Sequence, residues 1–171
     1  MGREPRRILI VDDDEAIRRL MRVNLELEGF QVDEAPDGER CLAAIHQLRP
    51  DLVVLDVAMP GIDGLSVART LRADPAVAEV KILMVSALAR SEDVERGRLA
   101  GADAYLTKPF EPDAFVQLIR TLLAADRPAD DATDPERHTD ATDPGRHTGA
   151  ASAEPRPADA AADPERHTAA G

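Results

Sequence analysis

Short apolar runs recur through the first 125 residues and predict β-strands, because they are brief, rich in Ile, Leu and Val, and bounded by polar residues. The clearest runs are RILIVD at 7–12 and LVVLD at 52–56, each of which ends in an acidic residue. The full set of predicted strands is 7–12, 30–34, 52–56, 80–86 and 104–107.

Between these strands, apolar residues recur at intervals of three and four, which is typical of helices that bury one face. Asp14 is the predicted cap of the first helix, and Gly29 is the predicted residue just beyond its end. The later helices are predicted over 37–48, 65–72, 91–100 and 111–125. The expected buried stripes comprise Ile17, Leu20, Met21 and Leu25 in the first helix and Phe115, Leu118, Ile119 and Leu122 in the last.

Five strands that alternate with five helices favour an α/β fold with a parallel sheet covered on both faces. Right-handed crossovers join successive strands in such folds. Ligands bind beyond the carboxyl ends of the strands, close to the point where the strand order reverses. The residues that follow each strand are therefore the first place to look for chemistry.

The composition changes at residue 126. Residues 126–171 contain no Ile, Leu, Val, Met, Phe, Tyr or Cys, and they repeat the nine-residue unit DATDPERHT with small variations. A segment of this kind buries too little apolar surface to offset the entropy of ordering its backbone. We therefore predict a folded domain over 1–125 and a disordered low-complexity tail over 126–171, with no DNA-binding output domain in that tail.

The charge balance argues against direct binding to nucleic acid. The chain has 33 acidic and 21 basic residues, a net charge of −12, and a phosphate backbone would be repelled. The single cysteine, Cys41, cannot form an intramolecular disulfide and fits a reducing compartment. No apolar run approaches the roughly 20 residues that span a bilayer. The sequence thus predicts a cytoplasmic protein without membrane insertion.

Polar side chains follow four of the five predicted strands. The parallel arrangement brings these residues to one edge of the sheet. Carboxylates and hydroxyls without nearby His or Cys are the donors that Mg²⁺ or Mn²⁺ prefers over Zn²⁺. The residues concerned are Asp12, Asp13 and Asp14 at the end of the first strand, Asp56 at the end of the third, Ser86 at the end of the fourth and Lys108 just after the fifth.

A carboxylate can attack a phosphoryl group and form an acyl phosphate. Phosphoryl transfer depends mainly on positioning and on neutralising charge, for which a metal ion, a lysine and a hydroxyl suffice. The pattern of residues therefore supports the hypothesis of an aspartyl-phosphate site.

Four segments strengthen this hypothesis: ILIVDDDE (8–15), LDVAMPGIDG (55–64), VSA (85–87) and AYLTKPF (104–110). In order and spacing, they resemble the receiver domains of two-component response regulators over residues 6–124. The resemblance implies a flavodoxin-like (βα)5 doubly wound sheet with strand order 2-1-3-4-5. It also implies that Asp56 accepts a phosphoryl group from a sensor histidine kinase or a histidine phosphotransfer protein. The implied Mg²⁺ ligands are Asp12, acting mainly through water, Asp13, Asp56 and the backbone carbonyl of Ala58.

The resemblance assigns further roles near the acceptor. Lys108 contacts the phosphoryl oxygens and precedes an expected cis peptide bond to Pro109. Ser86 is the switch hydroxyl, and Tyr105 is the switch aromatic whose rotamer follows it. Ala58 and Leu88 lie two residues beyond the acceptor and the switch hydroxyl, and their apolar side chains cannot orient an attacking water. A long-lived acyl phosphate is therefore expected.

The favoured interpretation is a stand-alone receiver that signals through an unknown protein partner or relays its phosphoryl group. The only chemistry expected of it is self-phosphorylation and slow self-dephosphorylation. One alternative is a Mg²⁺-dependent phosphohydrolase with an Asp nucleophile. Residues 12–14 contain the Asp-x-Asp spacing of such enzymes, but Glu15 and Ala16 follow where a Thr is expected. A second alternative is a receiver-like binding module that is not phosphorylated.

Overall fold

All five predicted strands and all five predicted helices occur in the computed structural model, which describes residues 5–125. Predicted and observed bounds agree to within two residues at every element. The elements are β1 (Arg7–Val11), α1 (Glu15–Leu27), β2 (Gln31–Ala35), α2 (Gly38–Leu48), β3 (Leu52–Asp56), α3 (Gly64–Ala73), β4 (Lys81–Ser86), α4 (Ser91–Leu99), β5 (Ala104–Thr107) and α5 (Pro112–Ala124).

The strands form one parallel sheet in the order β2-β1-β3-β4-β5, which confirms the expected topology. Its register aligns Val11 with Leu55 and Asp56 with Val85, so the ends of β1, β3 and β4 lie side by side. The strand order reverses at β1, because β2 lies on one side of it and β3 on the other. This edge of the sheet is where the predicted polar residues emerge.

Alternation of side chains along the strands divides the core between the two faces of the sheet. On one face, Leu9 and Val11 pack in a cluster with residues from α2 and α3. On the other face, Ile8 and Ile10 pack with residues from α1 and α5. All four side chains are fully buried, which explains the continuous apolar run in the sequence.

Aspartates begin the first three helices. Asp14 accepts hydrogen bonds from the amides of residues 16 and 17, Asp37 from residue 40 and Asp63 from residue 66. Each cap satisfies amide groups that have no partner within the helix and contributes about 1 kcal/mol. The predicted role of Asp14 as a cap is confirmed, and Gly29 lies just beyond the end of α1 with a φ of 84°.

The predicted buried stripes were wrong in part. Leu20 is 53% exposed, because Ile17, Met21 and Leu25 occupy the face of α1 that meets the sheet. In α5, Leu118 and Leu122 are only half-buried. The spacing of apolar residues alone does not show which part of a wide apolar stripe faces the sheet. The buried residues of α5 are Phe115, Val116, Ile119 and Leu123.

The predicted tail over 126–171, and with it the domain boundary at 125, lies outside the described residues. Both stay predictions. Within residues 5–125, the longest helices have 13 residues, and none combines the length and apolar character needed to cross a membrane.

Candidate functional site

Three carboxylates meet at the edge of the sheet where β1 and β3 end. Asp12, Asp13 and Asp56 each contribute an oxygen, and these oxygens lie within 4.8 Å of one another. Asp12 and Asp56 are 1% and 5% exposed, whereas Asp13 faces solvent. The predicted convergence of the strand-end aspartates is therefore present in the structure.

Lys108 joins two of these carboxylates. Its Nζ donates a hydrogen bond of 2.6 Å to Oδ2 of Asp12 and one of 3.2 Å to Oδ1 of Asp56. Its backbone N–H donates to the carbonyl of Ser86 at 2.8 Å, which holds the segment after β5 beside the end of β4. The expected cis peptide bond between Lys108 and Pro109 is present. The Lys108 ammonium thus lies between the carboxylates of Asp12 and Asp56.

The charges in the site disfavour ionisation of Asp56. Burial raises the pKa of Asp56, and the neighbouring charge of Asp12 raises it further, although Lys108 acts in the opposite direction. For Lys108, burial alone would lower the pKa, but the hydrogen bonds and charges of Asp12 and Asp56 outweigh burial and raise it. Three carboxylates and one ammonium leave the cluster with surplus negative charge.

The donor set fits a hard divalent cation. All three side chains offer carboxylate oxygens, and no His or Cys side chain belongs to the cluster that these described residues form. Two ligands of one Mg²⁺ ion lie at most about 4.2 Å apart, because each is about 2.0–2.1 Å from the ion, so oxygens within 4.8 Å of one another need only small side-chain shifts to bind one ion. Ala58 lies exposed in the loop after β3, and the role of its carbonyl as a ligand stays a prediction.

Ser86 and Tyr105 connect the site to the loop between β4 and α4. Ser86 is fully buried at the end of β4, and its Oγ accepts a hydrogen bond of 3.1 Å from the N–H of Leu88. The Tyr105 hydroxyl donates a hydrogen bond of 2.9 Å to the carbonyl of the same Leu88. One residue of the loop thus links the two predicted switch side chains.

Two positions that sequence reasoning left out support the acidic cluster. The Nη1 of Arg18 donates to the backbone carbonyl of Asp12 at 2.6 Å and ties α1 to the end of β1. Gly64 packs against the backbone of Asp56 so closely that a Cβ there would collide with the Asp56 carbonyl. Nothing in the sequence placed Gly64 against the backbone of Asp56.

The secondary candidates have structural roles. Asp14 caps α1 and does not belong to the carboxylate cluster. Cys41 is fully buried in the core, and burial raises its pKa to about 12, so it acts as a small apolar side chain. His46 is largely exposed on α2 and pairs with Asp74 at 3.0 Å. The capping role of Asp14 agrees with its prediction.

A comparison with protein-family models decides the family. The model described as the response regulator receiver domain matches residues 8–120, about two thirds of the chain. The chain belongs to this family. The matched range contains all the candidate site residues, and the resemblance inferred from the four sequence segments is confirmed.

Curated relatives of this receiver domain are larger proteins. One is the DNA-binding dual master transcriptional regulator RpaA of Synechocystis, 44% identical over 117 residues that cover 68% of this chain and 48% of the relative. Another is the DNA-binding response regulator MtrA of Mycobacterium tuberculosis, 42% identical over 126 residues that cover 72% of this chain and 54% of the relative. The chain spans about half the length of the curated relatives it matches.

Solved structures give the same result at the level of the single domain. A CheY-like receiver domain protein from Methanospirillum hungatei matches with a TM-score of 0.67 and 32% identity, covering 71% of this chain and 95% of that one. The receiver domain of Francisella response regulator 1452 matches with a TM-score of 0.67 and 30% identity, covering 71% and 99%. The fold described above is therefore that of a CheY-like receiver.

Proposed function

We propose that this receiver domain accepts a phosphoryl group on Asp56 from a phosphohistidine, on either a sensor histidine kinase or a histidine phosphotransfer protein. An Asp56 carboxylate oxygen attacks the phosphorus, the P–N bond breaks, and an acyl phosphate forms while the imidazole leaves. The observation that carries this proposal is the position of Asp56, nearly buried at a strand end with the Lys108 ammonium 3.2 Å from its Oδ1.

The neighbouring residues supply what the transfer needs. Lys108 would contact the incoming phosphoryl oxygens, because it is already held between two carboxylates beside the acceptor. Asp12, Asp13, Asp56 and the backbone carbonyl of Ala58 are the groups proposed to hold Mg²⁺. When bound, the ion adds positive charge that offsets both the carboxylates and the phosphoryl oxygens. Electrostatic neutralisation and positioning together account for catalysis of this kind.

Phosphorylation is proposed to change the conformation through Ser86 and Tyr105. We propose that the Ser86 hydroxyl gives up its hydrogen bond from the Leu88 N–H as it moves to a phosphoryl oxygen, which removes one constraint on the loop before α4. A second hydrogen bond, from the Tyr105 hydroxyl, is accepted by the carbonyl of the same Leu88. Phosphorylation would thereby bias a two-state equilibrium that a partner protein reads.

The proposed output is contact with a protein partner or onward transfer of the phosphoryl group, in a cytoplasmic protein. We do not propose an enzyme, since the chemistry envisaged is limited to self-phosphorylation from small donors and slow loss of the group. The negative charge of the chain disfavours direct contact of this domain with nucleic acid.

The test is incubation of the full chain with acetyl phosphate, with Mg²⁺ or with a chelator, followed by intact-mass measurement. We expect a Mg²⁺-dependent gain of one phosphoryl group in the wild type and in Asp37→Asn, and no gain in Asp56→Asn. Asp37→Asn is the matched control, because it makes the same chemical change at a helix cap where Asn is equally suitable.

In a second experiment, a histidine-phosphorylated phosphotransfer protein replaces acetyl phosphate as the phosphoryl donor. Absence of phosphoryl gain from both donors would contradict the proposal and favour a binding module that is not phosphorylated. Steady turnover of p-nitrophenyl phosphate that is lost in Asp12→Asn would instead favour a phosphohydrolase.

A further inference from the structure

α4 contains one buried residue, Gly97, in a helix whose other residues are mostly exposed. Glycine in a helix interior lowers helix stability by about 1 kcal/mol relative to alanine, so this residue needs a reason beyond local structure. The reason lies in the side chains that the Cα of Gly97 faces. A Cβ at this position would lie 2.9 and 3.2 Å from two ring carbons of Tyr105 and 3.1 Å from the sulfur of Met84.

Gly97 therefore leaves room for the Tyr105 ring on the surface of α4. The ring is half-buried there, and its hydroxyl donates to the Leu88 carbonyl while the Leu88 N–H donates to Ser86. A cavity of about 190 Å³ borders the ring and is lined in part by Val57, Leu65 and Leu88. A displaced ring thus has space beside its present position.

From this chain of contacts, we propose that Gly97 is a positioning residue of the switch. Its missing side chain lets the Tyr105 ring pack against α4, and this packing couples α4 to Leu88 and Ser86. The inference rests on the proposed function for its consequence, since the coupling carries the signal from Asp56. The packing itself can be tested without phosphorylation.

Gly97→Ala is the informative change, because it adds one methyl group where the ring now lies. Overpacking of this size lowers the population of the observed ring position by about tenfold or more relative to displaced positions. Tyr105 is the chain's one tyrosine and tryptophan is absent, so intrinsic tyrosine fluorescence reports on this ring alone.

The first measurement is quenching of that fluorescence by acrylamide in the full chain. We expect the quenching constant to rise in Gly97→Ala, because the ring leaves its half-buried position. With Mg²⁺ and beryllofluoride as the phosphoryl mimic, the wild type should show a change in emission that is at least halved in the variant. Acetyl phosphate should still phosphorylate the variant on Asp56, since no group of the acidic cluster is altered.

The second measurement distinguishes the effect of Gly97→Ala on the packing of the Tyr105 ring from its effect on the stability of α4. Alanine also favours α4 intrinsically, so urea unfolding is compared in the wild type, Gly97→Ala, Tyr105→Ala and the double variant. The destabilisation caused by Gly97→Ala should disappear in the Tyr105→Ala background, where only the Met84 sulfur opposes the new methyl group. Should Gly97→Ala alone fail to fold while the double variant folds, the same conclusion follows.

Three results would overturn the inference. They are additive effects of the two substitutions, failure of both Gly97 variants to fold, or unchanged quenching together with an unchanged beryllofluoride response. A wild type that gains no phosphoryl group and does not respond to beryllofluoride contradicts the proposed function instead. In that case, acrylamide quenching of the protein without beryllofluoride and the comparison of urea unfolding among the four proteins still decide the role of Gly97.

Discussion

Removing the negative charge of Asp56 should make the metal-free protein more stable. In Asp56→Asn, the side chain keeps its shape but no longer repels Asp12 and Asp13, whose oxygens lie within 4.8 Å. At an effective dielectric constant of about 20, each repulsion at that distance is about 3.5 kcal/mol, and the exposed Asp13 contributes less because of solvent screening. The Asp56 charge is also attracted to the Lys108 ammonium at 3.2 Å, and this attraction of about 5 kcal/mol opposes the two repulsions.

The balance, together with the cost of burying Asp56, favours the neutral side chain by about 1–2 kcal/mol. We expect the free energy of unfolding of Asp56→Asn, from urea titration at neutral pH with a chelator, to exceed that of the wild type by this amount. Saturating Mg²⁺ should narrow the difference, because the wild type binds the cation with one more carboxylate. Asp37→Asn is the control and should match the wild type under both conditions.

Two results would refute this reasoning. If Asp56→Asn is less stable than the wild type in chelator, the attraction between Asp56 and Lys108 dominates the cluster. If Mg²⁺ stabilises both proteins equally, Asp56 does not contribute to cation binding. The second result would also weaken the assignment of Asp56 as a metal ligand in the proposed function.

Three further predictions concern reactivity, stability and lifetime. Because the pKa of the buried Cys41 is about 12 and an unfolded thiol ionises near pH 8–9, a disulfide reagent at pH 8 should label Cys41 only after unfolding. Arg72→Ala should lower the free energy of unfolding by about 2–3 kcal/mol in urea titration, since three backbone carbonyls lose the Arg72 donor and Asp103 keeps only its hydrogen bond from the Ile82 N–H. If the domain is phosphorylated, Ala58→Gln should shorten the acyl-phosphate lifetime several-fold in intact-mass time courses, and an unchanged lifetime would contradict the role of apolar Ala58.

Local sequence patterns predicted most of the fold. The bounds of β3 and β5 were predicted to the residue, because the apolar run of β3 ends abruptly in a charge and β5 lies between a turn that contains Gly101 and a lysine. The start of α1 followed from Asp14, whose side chain satisfies amides that any helix leaves free. The buried face of α1 was predicted less well, because Leu20 belongs to the apolar pattern but points away from the sheet.

The candidate site could be predicted as far as it depends on strand ends. Asp12, Asp56 and Lys108 were placed together because parallel strands bring their carboxyl ends to one edge. The contact of Gly64 with the backbone of Asp56 could not be predicted, since no pattern in the sequence records how closely two backbones approach. A glycine in the first turn of a helix was the available signal.

The sequence by itself determined the order and type of the elements, the parallel sheet and the residues that carry the proposed chemistry, because these depend on periodicity and on polar side chains at strand ends. Only the tertiary structure decided that Tyr105 packs on Gly97 and reaches the loop that holds Ser86. Those contacts join α4, β4 and β5, and the distances between side chains on separate elements arise from packing. Packing thus decided how the site is connected to the surface.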